Sequence, residues 1–181
     1  MISSKNGQKS CLHIYTGDGK GKTTAAVGLA VRFAGTGGRV LFSQLLKDGS
    51  SGEISVLEQI EGIDVFVCRE CFGFSFAMTE EVRQQACRTY RKYLAEVLER
   101  AAGGGYGLLV LDEILSAYNL EFIDRRELMH FLENRPEDLE VVLTGRNPAP
   151  ELAELADYIS EIRKIRHPYD RGIPARRGVE M

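Results

Sequence analysis

Leu12-His13-Ile14-Tyr15-Thr16-Gly17-Asp18-Gly19-Lys20-Gly21-Lys22-Thr23-Thr24-Ala25-Ala26 is the stretch on which the reading of this chain turns. An apolar run enters a glycine-rich loop, and the loop opens into a helix-forming segment. Gly21-Lys22-Thr23 is the core of a phosphate-binding P-loop, preceded by a strand and followed by a helix as that motif requires. Glycines let successive backbone N–H groups turn inward on an anion, and the helix N-terminus adds partial positive charge. Lys22 is expected to reach the terminal phosphates of a nucleotide, and the Thr23 hydroxyl to sit on Mg²⁺. The usual pattern has glycine five residues before Gly21; here Thr16 holds that place and Gly17 is displaced by one. A chance Gly/Lys loop is the competing reading. The coincidence of strand, loop, Gly-Lys-Thr and helix argues against it.

A length of 181 residues suggests one domain, 1–181, with a polar tail over 1–10 and an irregular basic segment over 166–181. Apolar content of 44% and charged content of 27% are those of an ordinary globular protein. With a net charge of −3 and a pI near 5.7, nucleic acid is not an expected partner. No apolar run has membrane-spanning length and Met1–Ser10 lacks a signal-peptide apolar region, so a cytoplasmic protein is expected. Cys68-Arg69-Glu70-Cys71 has redox or zinc spacing, but no second Cys or His pair nearby completes four ligands.

The remainder alternates strands and helices. Strands are expected at Cys11–Tyr15, Arg39–Leu45, Ile63–Cys68, Leu108–Leu111, Glu140–Thr144 and Tyr158–Ile165. Helices are expected at Thr23–Ala34, Ser51–Ile60, a long one capped by Thr79, Asp124–Asn134 and Pro150–Ala156. In the long helix Val82, Ala86, Tyr90, Tyr93, Leu94, Val97, Leu98 and Ala101 recur at helical spacing and make one apolar face. The fold class is therefore α/β and P-loop NTPase-like, with a mostly parallel central sheet and helices on both faces.

Leu108-Leu109-Val110-Leu111-Asp112-Glu113 delivers two carboxylates from the end of an aliphatic strand. Ligands of such sheets bind beyond the carboxyl ends of the strands, where Asp112 or Glu113 would meet Mg²⁺. The plainer alternative is that these acids begin the next helix, where negative charge is favoured.

Gly17 to Ala26 closely resembles the P-loop of ATP:corrinoid adenosyltransferases, in which the shifted first glycine is usual. Gln44-Leu45-Leu46-Lys47, Gly73-Phe74-Ser75-Phe76, Val110-Leu111-Asp112-Glu113, Asn134-Arg135-Pro136 and Val142-Leu143-Thr144-Gly145-Arg146 are similar to family segments in the same order. So is the ending, from Leu155-Ala156-Asp157 through His167 and Asp170 to Gly178-Val179-Glu180. The resemblance implies transfer of the 5′-deoxyadenosyl group of ATP to cobalt(I) of a corrinoid, releasing triphosphate. It implies ATP contacts from Gly17, Asp18, Gly19, Lys20, Gly21, Lys22, Thr23 and Thr24; Arg146, just after a strand, is either a further phosphate contact or a solvated loop arginine. Lys20, Lys22 and Glu113 become the catalytic candidates, and Thr23, Asp112 and Glu113 the ligands of Mg²⁺ or Mn²⁺. A reductase taking cobalt(II) to cobalt(I) and a second copy of the chain, as a homodimer, are the implied partners.

Cys71–Phe76 is aromatic and lacks helical caps. Core packing is one reading. Family members place aromatic residues here against the lower corrin face, which assigns Phe74 and Phe76 to the corrinoid. Phe76 stands where some members carry Trp, and this chain has none. The basic C-terminal segment is either solvated or folded over an anionic ligand. His13 reads as a satisfied strand polar residue. Two other functions share these motifs: a P-loop kinase or NTPase acting at the γ-phosphate, and a nucleotide-binding protein without turnover.

Overall fold

The structure, a computed structural model, describes residues 10–70, 72–73 and 75–179. Six strands form one sheet: β1 (Leu12–Thr16), β2 (Val40–Gln44), β3 (Ile63–Val67), β4 (Leu108–Asp112), β5 (Glu140–Thr144) and β6 (Tyr158–Glu161). Their order is β3-β2-β4-β5-β1-β6, and every pairing is parallel. Parallel strands need covered crossovers, and the helices supply them: α1 (Lys22–Ala34), α2 (Gly52–Leu57), α3 (Glu80–Ala102), α4 (Ile114–Asn119), α5 (Arg125–Glu133) and α6 (Pro150–Leu155).

Alternation along the strands divides the core into two layers. Leu12, Ile14, Leu41, Leu109, Leu111, Val141 and Leu143 face α3, α4 and α5 in the larger cluster. Val40, Phe42, Leu108, Val110 and Val142 face α1 and α2, where Ala26, Ala30 and Ala34 keep α1 close to the sheet. Every residue of β2 and β4 is buried, as central parallel strands covered on both faces are. Burial on both sides reaches the polar ends of those strands as well. Ser43 therefore bonds the Tyr93 hydroxyl at 2.8 Å, and that hydroxyl also donates to the Phe66 carbonyl. Burial pushes the Tyr93 phenol far above its ordinary value, so it stays a neutral donor.

α3 buries seven of the eight residues of the expected apolar face; Val82, in its first turn, is half-buried. Thr79 caps it, accepting from the Val82 amide. Three expectations differ. The helix expected at Ser51–Ile60 spans only Gly52–Leu57. α4 is an additional helix, entered through Glu113 at φ 62°. The last strand stops at Glu161 rather than Ile165, because Ile162–Lys164 is held by the phosphate loop instead of the sheet. His13 pairs with Glu140 on the neighbouring β5, as a satisfied strand residue should.

Candidate active site

The carboxyl ends of β1, β2, β4 and β5 converge on one point. Gly21, at φ 125°, turns the loop after β1 into α1, a conformation open to glycine and costly for other residues. Lys22 folds back over that loop: Nζ donates to the Gly17 and Gly19 carbonyls, each at 2.8 Å. Burial lowers the Lys22 pKa first of all, and the nearby Arg146 charge lowers it further. Arg146 is exposed after β5, and its positive charge lowers the pKa of both Lys22 and Asp18.

The displaced glycine has a structural reason. Thr16 remains in β1, where its carbonyl accepts the Ile162 amide at 2.8 Å. Gly17 follows at φ 108°, and a Cβ there would lie 2.4 Å from the Ile162 carbonyl oxygen. The segment after β6 thus replaces the space a side chain would need. Gly17→Ala is expected to cost about 3 kcal/mol through strain and overpacking. A thermal melt within error of wild type would show that the Ile162 segment yields freely.

Asp18 and Gly19 belong to the same junction. Asp18 accepts the Lys164 amide at 2.9 Å, and the Gly19 amide donates to the Ile162 carbonyl at 2.8 Å. The hydrogen bond from the Lys164 amide holds the Asp18 carboxyl below its ordinary pKa. Lys20 is exposed and lines a cleft of ≈ 400 Å³ with Arg163, Lys164, Arg166, His167 and Arg176. The C-terminal segment therefore packs beside the phosphate loop with its cations around Lys20.

Asp112 is fully buried at the end of β4. Its Oδ1 accepts the Thr23 hydroxyl at 2.9 Å and the Thr144 hydroxyl at 2.6 Å. Its Oδ2 accepts the Gln44 amide at 2.9 Å and the Lys47 ammonium at 3.1 Å. β5 lies between β1 and β4, which is how Thr144 reaches the carboxylate. The adjacent Glu113 has a left-handed backbone, φ 62°, and its carboxylate accepts the Ser116 hydroxyl at 2.9 Å. Thr23 and Asp112 offer hard oxygen ligands side by side, the kind a magnesium ion shared with bound phosphates requires. Among the described residues no cluster of three or more His, Cys, Asp or Glu could hold a metal. Thr24 is exposed on the first turn of α1.

Residues 8–181 match the family described as ATP:corrinoid adenosyltransferase BtuR/CobO/CobP. The chain belongs to that family. The corrinoid adenosyltransferase of Escherichia coli (strain K12) is 30% identical over 180 residues, covering 99% of this chain and 89% of that protein. The corrinoid adenosyltransferase of Sinorhizobium sp is 32% identical over 184 residues, covering 100% and 85%. Among solved structures, the cytoplasmic domain of the Thermomonospora curvata Type VII secretion ATPase EccC aligns with TM-score 0.50 and 14% identity. It covers 92% of this chain and 22% of its own, and speaks to the fold alone.

In this adenosyltransferase chain the sequence reading left Gln44, Lys47 and Thr144 without roles, although they lay in segments it quoted. Their signal was the placement of a buried amide, a lysine and a hydroxyl at strand ends. Phe76 sits in a short 3₁₀ turn and is 86% exposed, so core packing does not explain it. Phe74 and Cys71 lie outside the described residues. No helix among the described residues is long and apolar enough to cross a membrane.

Proposed function

We propose that this chain transfers the 5′-deoxyadenosyl group of ATP to cobalt(I) of a corrinoid, releasing inorganic triphosphate. The reading rests on the family match over residues 8–181, joined to a phosphate loop whose threonine meets a buried aspartate. Cobalt(I) attacks C5′ of ATP. The Co–C bond forms as the C5′–O bond breaks, and the bonding pair leaves on the triphosphate. The nucleophile belongs to the corrinoid, so the protein's work is binding, orientation and stabilisation of departing charge.

The amides of the loop and the start of α1 receive the triphosphate, with Lys22 and Lys20 as its cations. Arg146 adds positive charge from the loop after β5. Thr23 and Asp112 are the residues to hold Mg²⁺ or Mn²⁺, with Glu113 beside them. Bound there, the metal neutralises phosphate oxygens and favours triphosphate as a leaving group. Cobalt must arrive as cobalt(I), so a reductase or chemical reductant is a required partner.

Phe76, and Phe74 with it, are assigned to the corrin. At 86% exposure Phe76 has little packing to lose, and Phe76→Ala is expected to change stability by less than about 0.5 kcal/mol. Its activity should fall mainly when cobalt(II) is reduced on the enzyme and recover with pre-reduced cobalt(I). Equal losses in both assays would remove Phe76 from control of axial coordination.

The deciding assay supplies ATP, Mg²⁺ and chemically reduced cobalamin, and reads the visible spectrum and the phosphate product. Adenosylcobalamin with triphosphate is the expected result. ADP with a phosphorylated acceptor, or no turnover, would overturn the reading.

A further inference from the structure

Asp112 and Gln44 are both at 0% exposure, and the Gln44 amide spends its N–H on the carboxylate. The Gln44 Oε1 is buried without a hydrogen-bond partner among the described residues, an unused oxygen ligand beside a buried anion. Lys47 supplies the cation. Its Nζ lies 3.1 Å from Asp112 Oδ2 and 3.4 Å from Thr23 Oγ1. Thr23 already gives its proton to Asp112 Oδ1, so Lys47 faces the hydroxyl lone pair, the one a metal would take. Leu46, at φ 58°, carries the chain back from β2 toward this position. A leucine holds that left-handed conformation only under constraint from its surroundings.

We propose that the Lys47 ammonium and a divalent cation take the same position between Thr23 and Asp112, so that metal enters only as Lys47 leaves. This rests on the reading of Thr23 and Asp112 as the metal site. Two cations cannot share the same two oxygens without strong mutual repulsion in a site this buried. Lys47 can vacate it: the side chain is 31% exposed, and its four-carbon stem is flexible. In the nucleotide-free protein Lys47 compensates the buried Asp112 charge. On metal entry it is released toward solvent at the mouth of the phosphate loop.

The test is manganese binding, followed by electron paramagnetic resonance, on nucleotide-free wild type and Lys47→Met. The variant is expected to bind Mn²⁺ at least tenfold more tightly; equal affinities overturn the exchange. Reductive methylation of wild type, read by mass spectrometry, gives a second measure that needs no variant to fold. Labelling of Lys47 should rise severalfold when millimolar Mn²⁺ is added, and unchanged labelling counts against release. Asp112→Asn separates the two claims. If it binds Mn²⁺ with ATP as tightly as wild type, the metal site is elsewhere and the exchange falls with it. If it loses Mn²⁺ while Lys47→Met matches wild type, the metal site stands and only the exchange is wrong.

Discussion

Asp112→Ala is expected to lower the melting temperature by roughly 10 °C and to abolish measurable adenosyl transfer. The carboxylate accepts four hydrogen bonds, from Thr23, Thr144, Gln44 and Lys47, at 0% exposure. Removing it leaves buried donors without an acceptor and an ammonium without its counter-charge. Breaking a buried pair from one side costs about 3–5 kcal/mol. The lower part of that range applies, because Lys47 can turn its charge to water. At about 2–4 °C per kcal/mol for a chain of this length, the shift follows. Glu113→Ala is the control. Glu113 is half-buried and takes one side-chain hydroxyl, from Ser116, so its loss is expected to cost no more than about 1 kcal/mol. If the two variants melt alike, Asp112 does not organise the strand ends as its contacts imply.

That difference between neighbouring acids was not legible in the sequence, where both read as metal ligands and Glu113 alone as a catalytic candidate. What separates them is a backbone turn at φ 62° and a hydroxyl on β5, neither of which is encoded locally. The same division runs through the fold. The phosphate loop, the buried strands β1, β4 and β5, and the apolar face of α3 are periodic or motif-like within a few residues. Sheet order, the early end of β6 and the role of Asp18 depend on contacts such as Lys164 to Asp18, 146 residues apart. Thr16 shows both sides. Its departure from the glycine pattern was visible, but its reason, the Ile162 segment lying across Gly17, is tertiary. α4 escaped because Ile114-Leu115-Ser116-Ala117-Tyr118 is too short and too evenly apolar to show a helical period.

Lys22→Ala is expected to reduce kcat/KM for ATP by about a hundredfold, with the fold intact. Hydrogen bonds to charged groups contribute about 1.5–3 kcal/mol, and 1.4 kcal/mol is a factor of ten. Lys22 currently spends two such bonds on the Gly17 and Gly19 carbonyls, and burial already lowers its pKa. A triphosphate at the loop reverses that second effect, because an anion beside the ammonium favours its charged form. The interaction should strengthen as the C5′–O bond breaks and the leaving group gains charge, so kcat falls as well as affinity. Lys22→Arg should recover little. A planar guanidinium does not fit between two carbonyls that each accept one ammonium proton at 2.8 Å. Lys22 could instead serve only to tie the loop together, and inorganic triphosphate distinguishes the two roles. A phosphate-binding lysine predicts that the variant loses affinity for triphosphate in parallel with ATP. A mere tie predicts a lower melting temperature with triphosphate affinity retained, and that outcome would take Lys22 out of the chemistry.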